Sequence, residues 1–556
     1  MIDLYTQEGE NLPSIPWNVY PRPQLKRNSF FCLNGQWDFS FGSPTYDRKI
    51  TVPFVPESLL SGINEIKKDG EELFYKREFS LPSDFNVGRV LLHFGAVDQI
   101  ASVYLNGTFV CHNTGGYNHF FCDVTEHLRD GANELSVIVK DELDLRYPYG
   151  KQSKKRGGMW YTVCSGIWQT VWLESVPETY IKNIDMAVDL EKAQITCCGV
   201  SDGTVLFEGN EIPLVDGKCE LFPKNPVAWT PETPMLYYFT VKSGLDTVES
   251  YFALRTLSVE NFDGIPRMCL NGKPYFFNGV LDQGYFSDGI FTPATEKGYE
   301  NDILLMKEAG FNMLRKHIKV EPEQFYYDCD RLGMVVFQDA VNNGEYSFFR
   351  DTALPTAFGP IRLNDKLLNT NPIGREYFER GLKNMVLDLK NHPCICLWTI
   401  FNEGWGQFCS DRQYDLLRAL DDTRFIDTAS GWFKPSKTDV ESRHVYFRKI
   451  RLRKSKKPLY LSEYGGYVFS VAGHRFNPDN EYGYKKFSSA EALEDALCHL
   501  FNTEIAPLIE KGLCAAVYTQ LSDVEDETNG LVTYDRRVKK FTSRLKEACD
   551  KLKIPN

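Results

Sequence analysis

The sequence predicts a multidomain β and α/β protein, in which an N-terminal jelly-roll-like β-sandwich and an immunoglobulin-like β-sandwich precede a C-terminal (β/α)8 TIM barrel. Its 556 residues exceed the length of one ordinary domain. Up to about residue 257, short apolar strands alternate with turn residues, whereas from about residue 258 strands alternate with amphipathic helices. Eight strands can be counted in this last part, which is the number that closes a (β/α)8 barrel.

The first β-sandwich is expected over residues 1–177 and the second, smaller one over residues 178–257. Asn106-Gly107 is the favoured two-residue hairpin signal, and the Pro-rich segment 229–237 precedes a final hairpin. Strands of the first sandwich are predicted at 33–41, 74–81, 90–94, 102–111, 120–124, 134–140 and 171–175.

The barrel is expected over residues 258–556, with helices that end at glycines or before the next apolar strand. Helices are predicted at 296–309, 322–332 and 375–390. Strands are predicted at 275–280, 312–315 and 334–337, and then as five strands that end at Glu403, Ser430, Tyr446, Glu463 and Gln520.

Charge and hydropathy exclude several classes of partner. The net charge of −12 argues against nucleic acid and anionic membranes, because such binders need concentrated Lys and Arg. The N-terminal residues carry neither a basic segment nor an apolar one, and no window approaches the roughly 18 apolar residues of a membrane span. We therefore expect a cytoplasmic protein with no membrane partner, and the sequence leaves a homo-oligomer open.

The 15 cysteines are scattered, odd in number and often inside apolar strands, so we expect them to be reduced and buried. The sequence contains no Cys-x-x-Cys and no His-Glu-x-x-His, which makes a zinc site built by the protein unexpected. No cofactor is expected to be required. Mg²⁺ or Na⁺ is conceivable, but no acidic cluster identifies a site for either ion.

Two glutamates follow buried strands and carry the strongest functional signal. The apolar run 391–408 contains Asn402-Glu403, and a second short apolar strand leads into Glu463 and a glycine turn. By our count Glu403 ends the fourth barrel strand and Glu463 the seventh. Because the C-terminal strand ends of such a barrel share one mouth, both carboxyls are expected in one pocket, as hydrolysis of a glycosidic bond requires.

Several motifs in order along the chain resemble glycoside hydrolase family 2, the family of β-galactosidases, β-glucuronidases and β-mannosidases. The resemblance covers nearly the whole chain and implies a sugar-binding-like first sandwich. The motifs are Leu33-Asn-Gly-Gln-Trp-Asp-Phe39, Gly115-Gly-Tyr117, Ser165-Gly-Ile-Trp-Gln-Thr-Val-Trp-Leu-Glu174 and Leu270-Asn-Gly-Lys-Pro274.

The resemblance implies that Glu403 is the general acid/base and Glu463 the nucleophile of a retaining hydrolase. In such enzymes the two carboxyls lie only about 5 to 5.5 Å apart. Asn402 is expected to bind the sugar 2-hydroxyl, with capping of the strand end as the alternative. Arg315 is expected to keep Glu463 charged. The remaining candidates for the sugar pocket are His317, Trp405, His444, Tyr446, Asp282, Trp432 and Gln520. At His317 the His-Tyr-Pro of the family becomes His317-Ile-Lys319. Tyr446 is expected to donate a hydrogen bond to the nucleophile, and the ring of Trp405 is expected to exclude water from the acid.

The choice of sugar depends on one missing residue. Glucuronidases of this family bind the uronate with an Asn-x-Lys, but the corresponding positions here are Glu527-Thr528-Asn529. Since Glu527 would repel a uronate, we expect an exo-acting enzyme for a neutral sugar, with β-galactoside as the leading choice. β-Glucuronidase, β-mannosidase and α-L-arabinosidase activities remain alternatives, as do an inverting hydrolase and a non-catalytic carbohydrate-binding protein.

Neither a dinucleotide-binding nor a serine-hydrolase motif competes with this interpretation. Gly404-x-Gly406 lacks the third glycine of a dinucleotide fingerprint, because Cys409 occupies that position. The segment around Ser430 is not the Gly-x-Ser-x-Gly of a nucleophile elbow. The expected partner is therefore an oligosaccharide or other glycoside substrate.

Overall fold

The structure is a computed structural model that describes residues 3–355 and 364–554. Two β-sandwiches are followed by an eight-stranded parallel barrel, which confirms the predicted fold class. The limits predicted at residues 177 and 257 stay a prediction, and a short three-stranded sheet precedes the barrel. That sheet is formed by Leu257–Phe262, Ile265–Leu270 and Lys273–Pro274.

The first sandwich packs a six-stranded antiparallel sheet against a four-stranded one, and Trp37, Phe39 and Leu173 lie in the core between them. The larger sheet contains, in spatial order, Arg48–Val52, Gly35–Phe41, Leu73–Ser80, Ala132–Lys140, Ile100–Leu105 and Thr108–Thr114. The smaller sheet contains Phe31–Cys32, Val171–Val176, Arg89–Phe94 and Phe120–Asp123, and a separate ladder joins Val97–Asp98 to Gly166–Ile167.

The single strand predicted at 102–111 is wrong, because Asn106 and Gly107 divide it into a hairpin. Both residues adopt positive φ, at 53° and 80°. Two consecutive left-handed residues match the right-handed twist of the flanking strands, so the chain reverses there.

The second sandwich has a three-stranded and a four-stranded sheet, with Phe207, Phe239 and Phe252 among its buried aromatic residues. The first sheet contains Asn183–Val188, Ala193–Cys198 and Lys218–Leu221. The second contains Asn210–Leu214, Gly203–Phe207, Tyr237–Ser243 and Asp246–Phe252.

The barrel has eight parallel strands, most of them buried along their whole length, as expected for a sheet covered on both faces. From first to eighth they are Phe277–Asp282, Met313–Lys316, Val335–Asp339, Ile395–Asn402, Phe425–Ser430, Glu441–Val445, Leu459–Gly465 and Leu513–Thr519. The ladder runs from the fifth strand back to the first, then through the eighth and seventh to the sixth. Glu403 therefore follows the fourth strand and Glu463 lies near the end of the seventh, as predicted.

The helices around the barrel bury one face each, and some of their ends carry recognisable caps. Asn371 accepts hydrogen bonds from the first turn of the longest helix, and Gly333 ends the second helix with φ at 74°. The helices are Lys297–Glu308, Glu323–Leu332, Pro372–Leu389, Ser410–Leu420, Ala490–Leu500, Ala506–Ile509 and Ser543–Cys549. Wider π-helical turns occur at Phe348–Ala353 and Phe501–Ile505, and 3-10 turns occur at Gly9–Asn11, Thr125–His127 and Asp365–Leu367.

The expectation that all cysteines are reduced is wrong for one pair. Cys111 and Cys122 form a disulfide in the first sandwich, with their Cα atoms 6.1 Å apart, because the second strand of the hairpin runs beside Phe120–Asp123. The other 13 cysteines are free, and most of them are buried. In the described parts of the chain, no helix combines the length and apolar character that a membrane crossing would need.

Candidate active site

Glu403 is presented at the mouth of the barrel by a strained turn. All eight residues of the fourth strand are buried, and the Glu403 N–H donates to the Ser430 carbonyl of the fifth strand at 3.0 Å. Its φ of 52° is unusual for a residue with a side chain, and such strain is found mainly at functional sites. The turn leaves the side chain 15% exposed, so its carboxyl faces the opening rather than the core.

Glu463 is held as an anion by donors on both carboxylate oxygens. Arg315 Nη1 donates to Oε1 at 3.0 Å, and the Tyr446 hydroxyl donates to Oε2 at 2.7 Å. Burial alone would raise the pKa of Glu463, but His444, Arg315 and His317 together with the Tyr446 hydrogen bond lower this pKa from 4.5 to about 2. Glu463 is therefore ionised throughout the neutral range.

His444 lies between the two glutamates. Its Nδ1 is 2.7 Å from Glu403 Oε1 and 3.4 Å from Glu463 Oε2, while its Nε2 is 2.7 Å from the Ser430 hydroxyl. One ligand atom from each of Glu403, His444 and Glu463 lies within 4.8 Å of the other two. Such a set could also hold a divalent cation, although Arg315 already offsets the charge of Glu463 and Tyr446 occupies one of its oxygens. The expectation that no metal is required stays an expectation.

Arg315 organises the floor of the site. Its side chain is fully buried, and its guanidinium reaches Asp339 with Nε and Nη2, each at 3.0 Å. The same group donates to Asn402 Oδ1 at 3.0 Å as well as to Glu463. Arginine suits this position because its planar fork serves several acceptors at once. The second, third, fourth and seventh barrel strands therefore meet at one cation.

We expect Arg315→Met to destabilise the fold by about 3–5 kcal/mol, since Asp339 and Glu463 would be left buried without a counter-charge. In the wild type the pKa of Glu463 lies at about 2, below its ordinary 4.5, so the pairing stabilises the protein above pH 4.5 and is lost as the pH falls toward 2. The difference in melting temperature between variant and wild type should therefore shrink on acidification.

The control is Arg412→Met, which breaks the exposed pair of Arg412 with Glu379 and should change stability by less than about 1 kcal/mol. Differential scanning calorimetry across a pH series measures both variants. An Arg315→Met protein as stable as Arg412→Met at neutral pH would show that the buried carboxylates do not depend on this guanidinium.

Other predicted residues also border the site. His317 Nδ1 lies 2.8 Å from Asp339 Oδ2, and burial lowers the pKa of this imidazole. The Trp432 ring packs edge-on against His444 at 5.6 Å between centroids. Trp405 donates from Nε1 to the Gly344 carbonyl at 3.1 Å. These contacts place Trp432 against a direct partner of both glutamates and His317 against a partner of Arg315, whereas the contact of Trp405 is with Gly344. The roles of all three residues toward a sugar stay predictions.

Two predicted residues point to other partners. Asp282 accepts from Lys316 Nζ at 2.6 Å, and Lys316 also donates to Glu321 at 2.9 Å, so this carboxylate belongs to a buried ion-pair network. Gln520 donates from Nε2 to Asn529 Oδ1 at 2.9 Å. No contact of Asp282 or Gln520 within the described residues joins either side chain to Glu403 or Glu463.

The first sandwich contributes residues that the sequence interpretation missed. Its 149–162 segment places Trp160 against Trp405, with ring centroids 5.0 Å apart, and directs the Tyr161 hydroxyl to Glu527. Asp339 was also missed, although it ends the third strand, much as Glu463 lies near the end of the seventh. That signal was available in the sequence, whereas the sandwich loop has no periodic pattern that could place it at the barrel mouth.

Glu527 is buried on the same side of the site. Besides Tyr161, the Asn529 amide donates to it at 3.1 Å. Burial raises the pKa of Glu527, and the nearby charge of Glu463 adds to the rise, while Lys151 opposes it most strongly. The first residue of the segment 527–529, which corresponds to the Asn-x-Lys of uronate-binding enzymes, is therefore held in the structure by specific partners.

Family models match both ends of the chain. The description "Glycosyl hydrolases family 2, TIM barrel domain" matches residues 264–554, and "Glycosyl hydrolases family 2, sugar binding domain" matches residues 22–177. The second match includes the motifs at 33–39, 115–117 and 165–174, and the first includes Glu403 and Glu463.

Sequence relatives and solved structures carry different names. A β-galactosidase of Thermoanaerobacter pseudethanolicus is 26% identical over 398 residues, covering 66% of this chain and 49% of that protein. The chain spans less than half the length of this and other curated β-galactosidases that it matches.

An uncultured Clostridium sp. β-glucuronidase superposes with a TM-score of 0.74 at 20% identity, covering 96% of this chain and 99% of that one. An Eisenbergiella tayi β-galacturonidase, bound to galacturonate, gives 0.68 at 20% identity with coverage of 96% and 99%. At these identities the structural matches establish the fold.

Proposed function

This chain belongs to glycoside hydrolase family 2, and from that premise we propose that it is a retaining exo-glycoside hydrolase with Glu463 as nucleophile and Glu403 as acid/base. The observation that supports the proposal most is the approach of the two carboxyls, whose oxygens lie within 4.8 Å with His444 between them. This spacing fits a double displacement better than a single one, which needs about 6.5–9.5 Å to admit a water.

In the first step Glu463 attacks the anomeric carbon while Glu403 gives its proton to the departing glycosidic oxygen. Arg315 and Tyr446 keep the attacking carboxylate charged and fix its orientation, so little reorganisation is needed at the moment of attack. In the second step Glu403 removes a proton from water, which then attacks the glycosyl-enzyme at the same carbon. Asn402 is anchored to Arg315, and we expect it to bind the sugar 2-hydroxyl.

We propose a terminal neutral sugar, with β-galactoside as the leading substrate. Support comes from the segment 527–529, in which Glu527 and Asn529 occupy the positions of the Asn and the Lys of the uronate-binding motif, and from sequence relatives that are named β-galactosidases. A uronate would meet Glu527 and Glu463 on the same side of the pocket. The names of the structural neighbours, β-glucuronidase and β-galacturonidase, make uronides the necessary comparison.

A panel of 4-nitrophenyl glycosides tests the sugar, and proton NMR of the first-formed anomer tests the stereochemistry. We expect kcat/KM to be highest for the β-galactoside among galactoside, glucuronide, mannoside and α-L-arabinoside, and the product to form first as the β-anomer. A first-formed α-anomer would contradict retention. Binding of an oligosaccharide without any cleavage would instead indicate a carbohydrate-binding protein.

We expect Tyr446→Phe to shift the acidic limb of the pH profile of kcat/KM to higher pH by about one unit. The reason is that loss of a hydrogen bond to the carboxylate raises the pKa of Glu463. Stopped-flow assays between about pH 2.5 and 6 would measure the limb before unfolding interferes. Tyr414→Phe is the matched control, since Tyr414 donates to Asp439 at 2.8 Å on an outer helix. Superimposable profiles for both variants and the wild type would contradict the assigned hydrogen bond.

A further inference from the structure

We propose that Lys151, supplied by the first sandwich, and Glu527, supplied by the barrel, form a charge-balanced wall that binds hydroxyl groups of the neutral sugar. This inference rests on the proposed function and specifies how the same site selects its substrate. It makes Lys151 a specificity-determining residue that lies outside the catalytic domain.

The backbone of Lys151 is fixed against the barrel mouth. The N–H groups of Tyr149 and Gly150 donate to the Asn342 carbonyl at 3.0 and 3.4 Å, just beyond the third barrel strand. The Lys151 carbonyl accepts from the Tyr161 N–H at 3.0 Å. Because Tyr161 itself donates to Glu527, Lys151 is tied through one residue to the acidic partner in the proposed wall.

The ammonium group of Lys151 is available for a ligand. Its side chain is only partly exposed, and its Nζ lies 5.9 Å from the centroid of the Trp160 ring. Among residues 3–355 and 364–554, no carboxylate lies within the 4.0 Å of an ion pair with Lys151. A partly desolvated cation gains from an acceptor, and a bound sugar hydroxyl would provide one.

Tyr161 joins Lys151 and Glu527 at one part of the barrel mouth, since its N–H donates to the Lys151 carbonyl and its hydroxyl donates to Glu527. The charge of Lys151 opposes the rise in the pKa of Glu527 that burial causes, and burial together with this charge lowers the pKa of His317. His317 follows the second barrel strand and Glu527 follows the eighth, so these two residues flank the first strand. Hydrogen bonds place the wall beside the nucleophile. Tyr446 donates to Glu463 and lies 2.9 Å from the Thr519 hydroxyl, and the next residue, Gln520, donates to Asn529, whose amide in turn donates to Glu527.

Paired opposite charges suit hydroxyl groups better than a carboxylate. An ammonium only donates hydrogen bonds, an ionised carboxylate only accepts them, and a hydroxyl does both. Two neighbouring hydroxyls of a sugar could therefore satisfy Lys151 and Glu527 together without adding net charge. A uronate would gain from Lys151 but be repelled by Glu527 and Glu463, whereas Lys151 without Glu527 would favour it.

The test uses the full-length protein and compares kcat and KM on 4-nitrophenyl β-galactoside and β-glucuronide. Lys151→Met should lower kcat/KM for the galactoside about 10- to 100-fold, the range expected for hydrogen bonds to a charged group. Glu527→Gln should raise the ratio of glucuronide to galactoside kcat/KM about tenfold or more. Lys155→Met, an exposed lysine of the same loop, should match the wild type.

Melting curves establish that each variant is folded, and Lys151→Gln replaces Lys151→Met if the latter is not. Galactoside kcat/KM within twofold of wild type in the Lys151 variant, or an unchanged sugar ratio in Glu527→Gln, would overturn the inference. Either result leaves retention by Glu403 and Glu463 standing if the wild type still yields the β-anomer first. A wild type that prefers the glucuronide would overturn both this wall and the neutral-sugar proposal.

Discussion

Glu463→Ala is expected to lose more than about 100,000-fold in kcat/KM, because the covalent route disappears with the nucleophile. The loss should hold for substrates with good and poor leaving groups alike, since attack on the anomeric carbon and departure of either group belong to the same displacement step. Azide can enter the space of the missing carboxylate and attack from the same side. Mass spectrometry and NMR should then identify an α-glycosyl azide formed from the β-glycoside.

The control is Glu510→Ala, an exposed glutamate before the start of the eighth barrel strand, which should retain wild-type kinetics. Loss of Glu463 also leaves Arg315 with one carboxylate fewer, so melting curves must show that the variant is folded. A folded Glu463→Ala protein with wild-type turnover, or one that yields a β-glycosyl azide, would remove Glu463 from the role of nucleophile.

Glu403→Ala is expected to behave differently, because a missing acid matters only when the leaving group needs a proton. General acid catalysis contributes about 100- to 10,000-fold, so alkyl glycosides should lose that much in kcat/KM. Activated substrates such as 2,4-dinitrophenyl glycosides should keep a kcat/KM within about tenfold of wild type, but with a low kcat, since water attacks the glycosyl-enzyme without a base.

Azide needs no base, so it should raise kcat for the activated substrate in Glu403→Ala and form a β-glycosyl azide. The comparison of the two azide products assigns the two carboxyls independently of how much activity each variant retains. An α-glycosyl azide from Glu403→Ala, or equal losses on activated and alkyl substrates, would contradict the role of Glu403 as acid/base.

Much of the fold could be predicted because the ends of apolar strands and the glycines that end helices are local features of the sequence. The eight barrel strands were located within a few residues, since each is a buried apolar run bounded by Gly, Pro or a helix. Strand order then brought Glu403 and Glu463 to one mouth without any knowledge of their contacts. The hairpin at Asn106-Gly107 shows the limit of this approach. Its turn signal was identified in the sequence, but a single strand was still predicted over 102–111 where the structure has two.

The contacts between domains could not be predicted from the sequence. Lys151 and Trp160 lie in an irregular loop of the first sandwich, and only tertiary packing against Asn342 and Trp405 brings them to the barrel. Asp282 shows the converse error. It ends a barrel strand as the catalytic candidates do, but a neighbouring lysine in the second strand neutralises it. The sequence pattern identifies strand ends but not the direction and partner of each side chain.

The disulfide between Cys111 and Cys122 was missed for a related reason. The number and scatter of the cysteines along the chain indicated reduced thiols. The pairing of two particular cysteines depends instead on strands that become neighbours only in the folded sandwich.

The central claim is that Glu463 attacks a sugar whose leaving group faces Glu403. Incubation of the wild type with 2,4-dinitrophenyl 2-deoxy-2-fluoro-β-galactoside, followed by proteolysis and tandem mass spectrometry, tests it most directly. The fluorine slows hydrolysis of the glycosyl-enzyme, so the predicted result is one fluorosugar bound to the peptide containing Glu463, with matching loss of activity. A label on Glu403 or on any other side chain would contradict the assignment.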